Sequence, residues 1–315
     1  MCFSAQCWQA FNAYVKEFGD VIDIHEFAQL YGFRKEPRKS KAAPKIPKGM
    51  DRNFDYPKTP IERQIKAMID EWNAQQISAQ ERELFKQVKR LNDAERTLQT
   101  KTTKKALDDQ RIATSKIALI KAKLADIKRT EAKPQKDDRI FPGVYAPVLI
   151  VENGKRVLRP MRYQCRVCGK PASHDAKYPG TYTARRDSLE GYWRSTFGQS
   201  HGLMVVERFY ENVEGPDGKN RVLEFRPRTG EPMYVACLWS KWTDPKGEEP
   251  DLYSFAAITD EPEAEVAAAG HDRTIVNLKP EYVDAWLNPQ GRSLGEFYAM
   301  FDDRRHPFYE HREAA

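Results

Sequence analysis

Between Ile61 and Lys133 no Gly or Pro interrupts the chain, and apolar residues return at helical spacing. Ile61, Ile65, Met68 and Trp72 come first, then Leu84, Val88 and Leu91, then Ile117, Ile120, Leu124 and Ile127. The pattern predicts a short helix followed by an antiparallel helical hairpin. Ser78 and Glu81 have the S-x-x-E spacing of a capping box and mark the expected start of the second helical run. The polar run QTKTT at 99–103 is the expected turn between the two long helices.

Residues 136–315 change character. Apolar, β-branched and aromatic runs read as strands: VYAPVLIVE, LMVVERFYE, RVLEFRP, MYVACLW, YSFAAIT and RTIVNL. Turn signals at Glu152–Lys155 and Gly215–Gly218 separate some of them. Helices are expected at Ser188–Phe197, Pro262–Ala269, Pro280–Leu287 and Leu294–Asp302. Strands and helices do not alternate regularly, so the fold class is α+β rather than a doubly wound parallel sheet. Residues 1–58 open on a mixed apolar segment and then become basic and proline-bearing; that stretch is expected to be irregular and to lie over a surface. The expected organisation is one domain from 1–58 and 136–315, with 60–133 as an inserted helical hairpin. No internal repeat is visible.

Charge sharpens this division. The 315 residues carry a net +6, with 31% charged and 40% hydrophobic positions, enough apolar content for a real core. Arg82–Arg129 alone has fourteen Lys/Arg against six Asp/Glu, a net of +8, so the remainder is slightly acidic. The hairpin is either a solvated arm or a basic arm that rides on a nucleic-acid backbone. No apolar run is long enough to span a membrane, and the first residues lack the pattern of a secretory signal. A cytoplasmic chain is expected. Its five cysteines, Cys2, Cys7, Cys165, Cys168 and Cys237, are odd in number and irregular in spacing, so a disulfide framework is not expected.

Four segments could carry chemistry. Loss of Met1 would leave Cys2 with a free α-amine and a thiol on one residue. Such a 1,2-aminothiol condenses with an aldehyde, first to an imine and then to a thiazolidine, which no internal cysteine can do. Glu211 ends an apolar strand, where a carboxylate can acquire a raised pKa and move protons. His271, in Gly270-His271-Asp272-Arg273, can act as a general acid or base near neutral pH, and Arg273 can hold a phosphate. Arg185 and Arg186 precede an expected helix and suit phosphate as well. Taken singly, each segment is as readily structural: an incidental cysteine, a salt-bridged glutamate, a satisfied turn, a solvated arginine pair.

Together and in this order, the MC start, the ARRD segment, the strand ending FYE and the AAAGHDR segment before an apolar strand resemble the SOS-response-associated peptidase (SRAP) family. The resemblance covers the N-terminal residues and most of 136–315. It implies an α+β fold around a curved, barrel-like mixed sheet with flanking helices. It also implies recognition of abasic sites in single-stranded DNA, covalent crosslinking to them, and an associated autopeptidase activity. Carried over, Cys2 matches the crosslinking nucleophile, Glu211 the proton-transfer glutamate, and His271 the histidine of imine chemistry and reversal. Arg185 and Arg273 match phosphate contacts, Arg186 is expected to join them, and Trp193 to stack on a base. Thr183 stands where the family has an asparagine that helps hold the cysteine and the sugar; its hydroxyl has shorter reach. The resemblance implies no cofactor. The chain is expected to be monomeric, without a membrane partner, and associated with the nucleoid.

Two other functions compete. An N-terminal-nucleophile amidotransferase also begins with cysteine, but usually continues into a Gly-rich strand, whereas Phe3-Ser4-Ala5-Gln6 follows here. A non-catalytic nucleic-acid-binding protein could use the basic arm alone. Zinc at Cys165 and Cys168, with His174 nearby, lacks a second ligand pair.

Overall fold

The computed structural model describes residues 4–19, 21–35, 43–215, 217–247 and 249–314. Internal contacts divide the chain into two units, Met1–Arg63 with Lys133–Ala315, and Gln64–Ala132. The chain enters through β1 (Ser4–Cys7), α1 (Phe11–Phe18), β2 (Val21–Ile22), α2 (Ile24–Lys35) and α3 (Lys48–Asp51). Two long helices follow, α4 (Pro60–Thr100) and α5 (Lys104–Lys128), then α6 (Pro134–Asp137). Next come β3 (Arg139–Ile140), β4 (Tyr145–Glu152), β5 (Lys155–Tyr163), α7 (His174–Lys177), β6 (Thr183–Arg185) and β7 (His201–Glu214). The last stretch contains β8 (Asn220–Pro227), β9 (Met233–Trp242), β10 (Leu252–Asp260), α8 (Ala264–Ala268), β11 (Thr274–Ile275) and β12 (Asn277–Leu278). It ends with α9 (Val283–Leu287), α10 (Leu294–Asp302) and β13 (Tyr309–Glu313).

In the larger unit the described strands form one mixed sheet. Pairing runs from β7 to β9, to β10, to β5, to β4 and back to β7, so the sheet curls into a barrel-like circuit. Two junctions are short: β5 meets β10 in parallel at Arg162 and Tyr163, and β4 meets β7 at Leu149. The β4–β5 hairpin turns on Asn153 and Gly154, both at positive φ (52° and 72°), as a two-residue hairpin loop requires. β7 is long enough to serve two neighbourhoods. Its first half pairs with β9, and its second half runs between β1 and β8.

Alternation along these strands sends Val148, Ile150, Met161, Met204, Phe209, Phe225, Val235 and Phe255 into one core. Phe209 stacks on Phe225 with centroids 5.0 Å apart, and Tyr309 meets Phe209 edge-on at 5.2 Å. The proline-bearing N-terminal stretch is more deeply anchored than its composition predicts. Met50 and Phe54 are buried, and Asp51 accepts from Arg34 (2.7 Å) and from the Tyr31 hydroxyl (2.9 Å). Residues 36–42, which belong to that stretch, lie outside the described residues.

In the smaller unit, α4 is a single helix of 41 residues. Ser78 and Glu81 lie inside it and do not start a new helix. A cap needs its serine in extended backbone, but the preceding NAQQI contains neither Gly nor Pro, so the hydrogen-bond ladder continues. The expected turn is real: Thr103 caps α5, its hydroxyl accepting from the Ala106 amide at 3.2 Å. The helices meet along a seam of Gln87, Ala94, Ala106, Ala113 and Ile120, closed by Arg90–Asp109 (2.5 Å) and Lys128–Glu81 (3.1 Å). No helix among the described residues is long and apolar enough to cross a membrane.

Candidate active site

Strand periodicity fixes the first functional side chain. Phe209 belongs to the core, so Glu211, two residues further along β7, points to the same inward side. It pairs across from Leu223 of β8 and is 1% exposed. A turn delivers the second. α8 ends at Ala268, and Gly270 takes φ 93°, a conformation L side chains rarely adopt. The Gly270 amide donates to the Ala267 carbonyl (2.9 Å) and the His271 amide to that of Val266 (3.2 Å). β11 then pins the far end of the loop against Thr259 and Asp260. The loop thereby places His271 Nε2 3.1 Å from Glu211 Oε2.

The tautomer follows from the other ring nitrogen. His271 Nδ1 lies 2.9 Å from the Arg273 carbonyl oxygen, a contact only Nδ1–H can make. In the neutral ring, Nε2 therefore presents a lone pair towards Glu211. Two bare acceptors at 3.1 Å repel, so the contact is favourable only when one of them carries a proton. Burial pulls the His271 pKa below its ordinary value, which favours the neutral ring. The two groups lie at ion-pair distance without the alignment of a full hydrogen bond. This is a common resting geometry for groups that align only once substrate is bound. The pair, with both residues buried, is suited to exchanging one proton.

β1 enters beside this pair. Its first residue, Ser4, lies across from Tyr210, the neighbour of Glu211. Arg139 locks that corner: its Nε donates to the Ser4 hydroxyl at 3.0 Å, and its guanidinium sits 3.7 Å from the centre of the Tyr210 ring. Cys2 lies outside the described residues.

The expected phosphate contacts gather around one depression, lined by Arg185, Arg186, Asp260, Asp272, Arg273 and Tyr298 among others. Their availability differs. Arg185 is half-exposed and among the described residues pairs with its neighbour Asp187, at 2.6 Å. Arg186 is clamped by Asp260 (2.9 Å) and Asp302 (2.6 Å), which makes it a strut of the fold. Arg273 pairs with Asp272 at 3.1 Å. Thr183 is buried on β6, across from Ala257, and its hydroxyl makes no hydrogen bond to Glu211 or His271 among the described residues. Trp193 corrects an expectation. It is 3% exposed, packed edge-on against Tyr192, and offers no ring face to a base. Its segment is a set of turns rather than the helix expected at Ser188–Phe197, because Gly191 and Gly198 interrupt it and Gly198 sits at φ 77°. Cys165 is buried, its thiol pushed up to about 12 by burial, and Cys168 is exposed. No group of three metal-capable side chains forms among the described residues.

The model of the family described as SOS response associated peptidase (SRAP) matches residues 96–311. The chain belongs to the SRAP family. Membership ties this SRAP protein to DNA damage and the SOS response, and to a family associated with peptidase and abasic-site processing. The matched region contains Thr183, Arg185, Arg186, Glu211, His271 and Arg273. It begins inside α4, takes in α5, and leaves the N-terminal residues outside, which differs from the coverage expected from sequence. Among solved structures, a protein from Bacteroides thetaiotaomicron is similar at 13% identity and TM-score 0.48, over 56% of this chain and 78% of that one. A protein from Bordetella bronchiseptica is 16% identical with TM-score 0.46, over 59% and 90%. A phage-related protein from the same organism is 16% identical with TM-score 0.42, over 59% and 84%. No curated protein matches the chain in sequence.

Two elements of this SRAP site had no sequence signal. Arg139 reaches Ser4 from 135 residues away, and neither residue type marks the contact. Arg304 bridges Asp260 (3.1 Å) and Glu263 (2.8 Å), tying the end of β10 to the cap of α8 and so steadying the His271 loop.

Proposed function

We propose that this SRAP protein captures abasic sites in single-stranded DNA through Cys2, once Met1 has been removed by peptide hydrolysis. The observation that carries the reading is the buried Glu211–His271 contact, 3.1 Å across, beside the strand that leads back to Cys2.

The ring-opened abasic sugar presents an aldehyde at C1′. The Cys2 amine attacks that carbon and gives a carbinolamine. Its hydroxyl leaves as water, taking a proton supplied by the Glu211–His271 pair, the pair recovers a proton from the nitrogen, and a neutral imine remains. The Cys2 thiol then adds to the imine carbon; its proton ends on nitrogen, and the ring closes as a thiazolidine. Aldehyde, amine and thiol thus yield thiazolidine and one water, with no oxidant or cofactor. In reversal His271 returns a proton to the sugar oxygen. Arg185 and Arg273 hold flanking phosphates. The protein acts as a monomer on nucleoid DNA in the cytoplasm.

The test is intact mass spectrometry after incubation with an abasic single-stranded oligonucleotide. The expected species is the chain without Met1, plus the oligonucleotide, minus one water. The same adduct formed by Cys2→Ala would overturn the reading.

A further inference from the structure

The larger unit uses much of its arginine internally. Arg159 pairs with Asp23 and Glu152, Arg166 with Asp175, Arg186 with Asp260 and Asp302, and both Arg208 and Arg312 with Glu224. The charge inventory agrees. The whole chain is +6 and Arg82–Arg129 is +8, which leaves −2 for everything else. A polyanion approaching this protein meets concentrated positive charge on the hairpin, as it does along Arg34–Lys58, where nine Lys/Arg stand against three Asp/Glu.

Within the hairpin that charge is organised. Five of the six acids in Arg82–Arg129 are already matched: Glu83 by Lys86, Asp93 by Arg96, Asp108 by Arg111, Asp109 by Arg90 and Asp126 by Arg129. Lys89, Lys105, Lys116 and Lys123 form no ion pair among the described residues. Arg82, Lys86, Lys89 and Arg96 fall on one stripe of α4 at helical spacing, and Phe85, 72% exposed, lies beside them. Between this stripe and the start of α5 runs a groove of about 600 Å³. Lys86, Lys89 and Lys105 line it together with the hydroxyl-bearing Thr97 and Thr103. Ala94 and Ala106 of the seam form its apolar floor, Asp93 and Asp109 also line it, and the four cations Lys86, Lys89, Arg90 and Lys105 leave its rim net basic and open.

We propose that this groove is a second DNA site, binding the phosphate backbone of single-stranded DNA, with Phe85 as a stacking surface for a base. That the polyanion is DNA rests on the abasic-site reading; the charge pattern by itself asks for closely spaced phosphates. Lysines and threonine hydroxyls are the usual backbone contacts, and an exposed aromatic among them suits an unpaired base.

The test uses the full chain and a fluorescently labelled oligothymidylate without any abasic site, so the covalent chemistry plays no part. Lys86→Glu/Lys89→Glu/Lys105→Glu is compared with the wild type by anisotropy over a range of salt concentrations. The expected result is an affinity loss of about tenfold or more and a salt dependence of log K shallower by about 2, near 0.7 for each lost contact. The neutral variant Lys86→Gln/Lys89→Gln/Lys105→Gln should lose the same slope, which separates lost contacts from new repulsion. Circular dichroism confirms that each variant retains its helices. Unchanged affinity and slope would overturn the proposal and favour an acidic protein as the occupant. Failure of the abasic-site reading is distinct: it gives no adduct with abasic DNA while binding to the intact oligonucleotide is retained.

Discussion

His271 Nε2 faces Glu211 Oε2 across 3.1 Å, while the opposite nitrogen of the same ring is committed to the Arg273 carbonyl. The imidazole can therefore pass a proton through one face only, and that face meets a carboxyl group. Glu211→Gln keeps the size of the side chain but ends the exchange. Adduct formation in single turnover should slow by about a hundredfold or more, the usual range for a positioned acid–base group. His271→Ala should slow it comparably. Because the two act on one proton, the double variant should be little worse than the slower single one. Additive losses would mean that the residues work separately.

Gly270 is the hinge that brings this about. At φ 93° an added Cβ would lie 3.9 Å from the Val213 Cβ, an ordinary contact, so the cost of Gly270→Ala is backbone strain rather than collision. The expected loss is about 1–3 kcal/mol of stability, read from denaturant midpoints at unchanged m. The His271 loop moves with the strain, so adduct formation should slow as well. A variant as stable and as fast as the parent would show that the turn has freedom the structure does not suggest.

That hinge also shows where the sequence was readable. β4, β7, β8, β9 and β10 follow from their apolar runs, and α10 matches the helix expected at Leu294–Asp302; at its start Ser293 and Glu296 form a capping box on which that expectation does not rest. Ser78 and Glu81 have the same spacing yet sit mid-helix, because a cap works only where the helix has a reason to begin. The run RTIVNL reads as one strand but is two pairs, Thr274–Ile275 with β10 and Asn277–Leu278 with β9. Glu211 and His271 could be named from the sequence, each on its own segment. Their contact could not, since it depends on strand register and one positive-φ glycine. The burial of Trp193 and the Arg139–Ser4 contact are likewise tertiary facts with no local pattern behind them.

His201 gives the fold a pH dependence of its own. Its Nδ1–H donates to the Trp286 carbonyl (2.9 Å), the Gly198 amide donates to its Nε2 (2.8 Å), and its ring stacks 3.7 Å from that of Trp286. Both nitrogens are thus used by the neutral ring, and a second proton would meet an N–H donor. Burial depresses the pKa to about 3. The folded value lies below the unfolded one, near 6.5, so the unfolded chain binds the proton first. This contribution is complete above about pH 6.5 and is lost as pH falls towards 3, by about 1.4 kcal/mol per unit. Carboxylates titrate in the same window, so the measurement is a comparison. Urea titrations at descending pH should give His201→Gln a lower stability at neutral pH but a shallower decline than the parent. Parallel declines would remove His201 from this role.

The amine and the thiol of Cys2 can be tested apart. Cys2→Ser keeps the amine and replaces the sulfur with a far weaker nucleophile. It should still form an imine with abasic single-stranded DNA, trapped as a stable adduct by borohydride, but should leave no adduct that survives without reductant. One extra residue retained ahead of Cys2 does the reverse. It leaves the thiol and moves the α-amine onto another residue, where sulfur and nitrogen can no longer close a five-membered ring on one carbon. That variant should form no thiazolidine, and whatever imine its displaced amine makes should remain dependent on borohydride. Glu211→Gln combined with Cys2→Ser should slow trapping as well, because loss of water precedes any step that involves sulfur. If the extended chain gave a full yield of adduct stable without reductant, an internal nucleophile would be doing the chemistry, and the link between the Glu211–His271 pair and the chain start would fail with it.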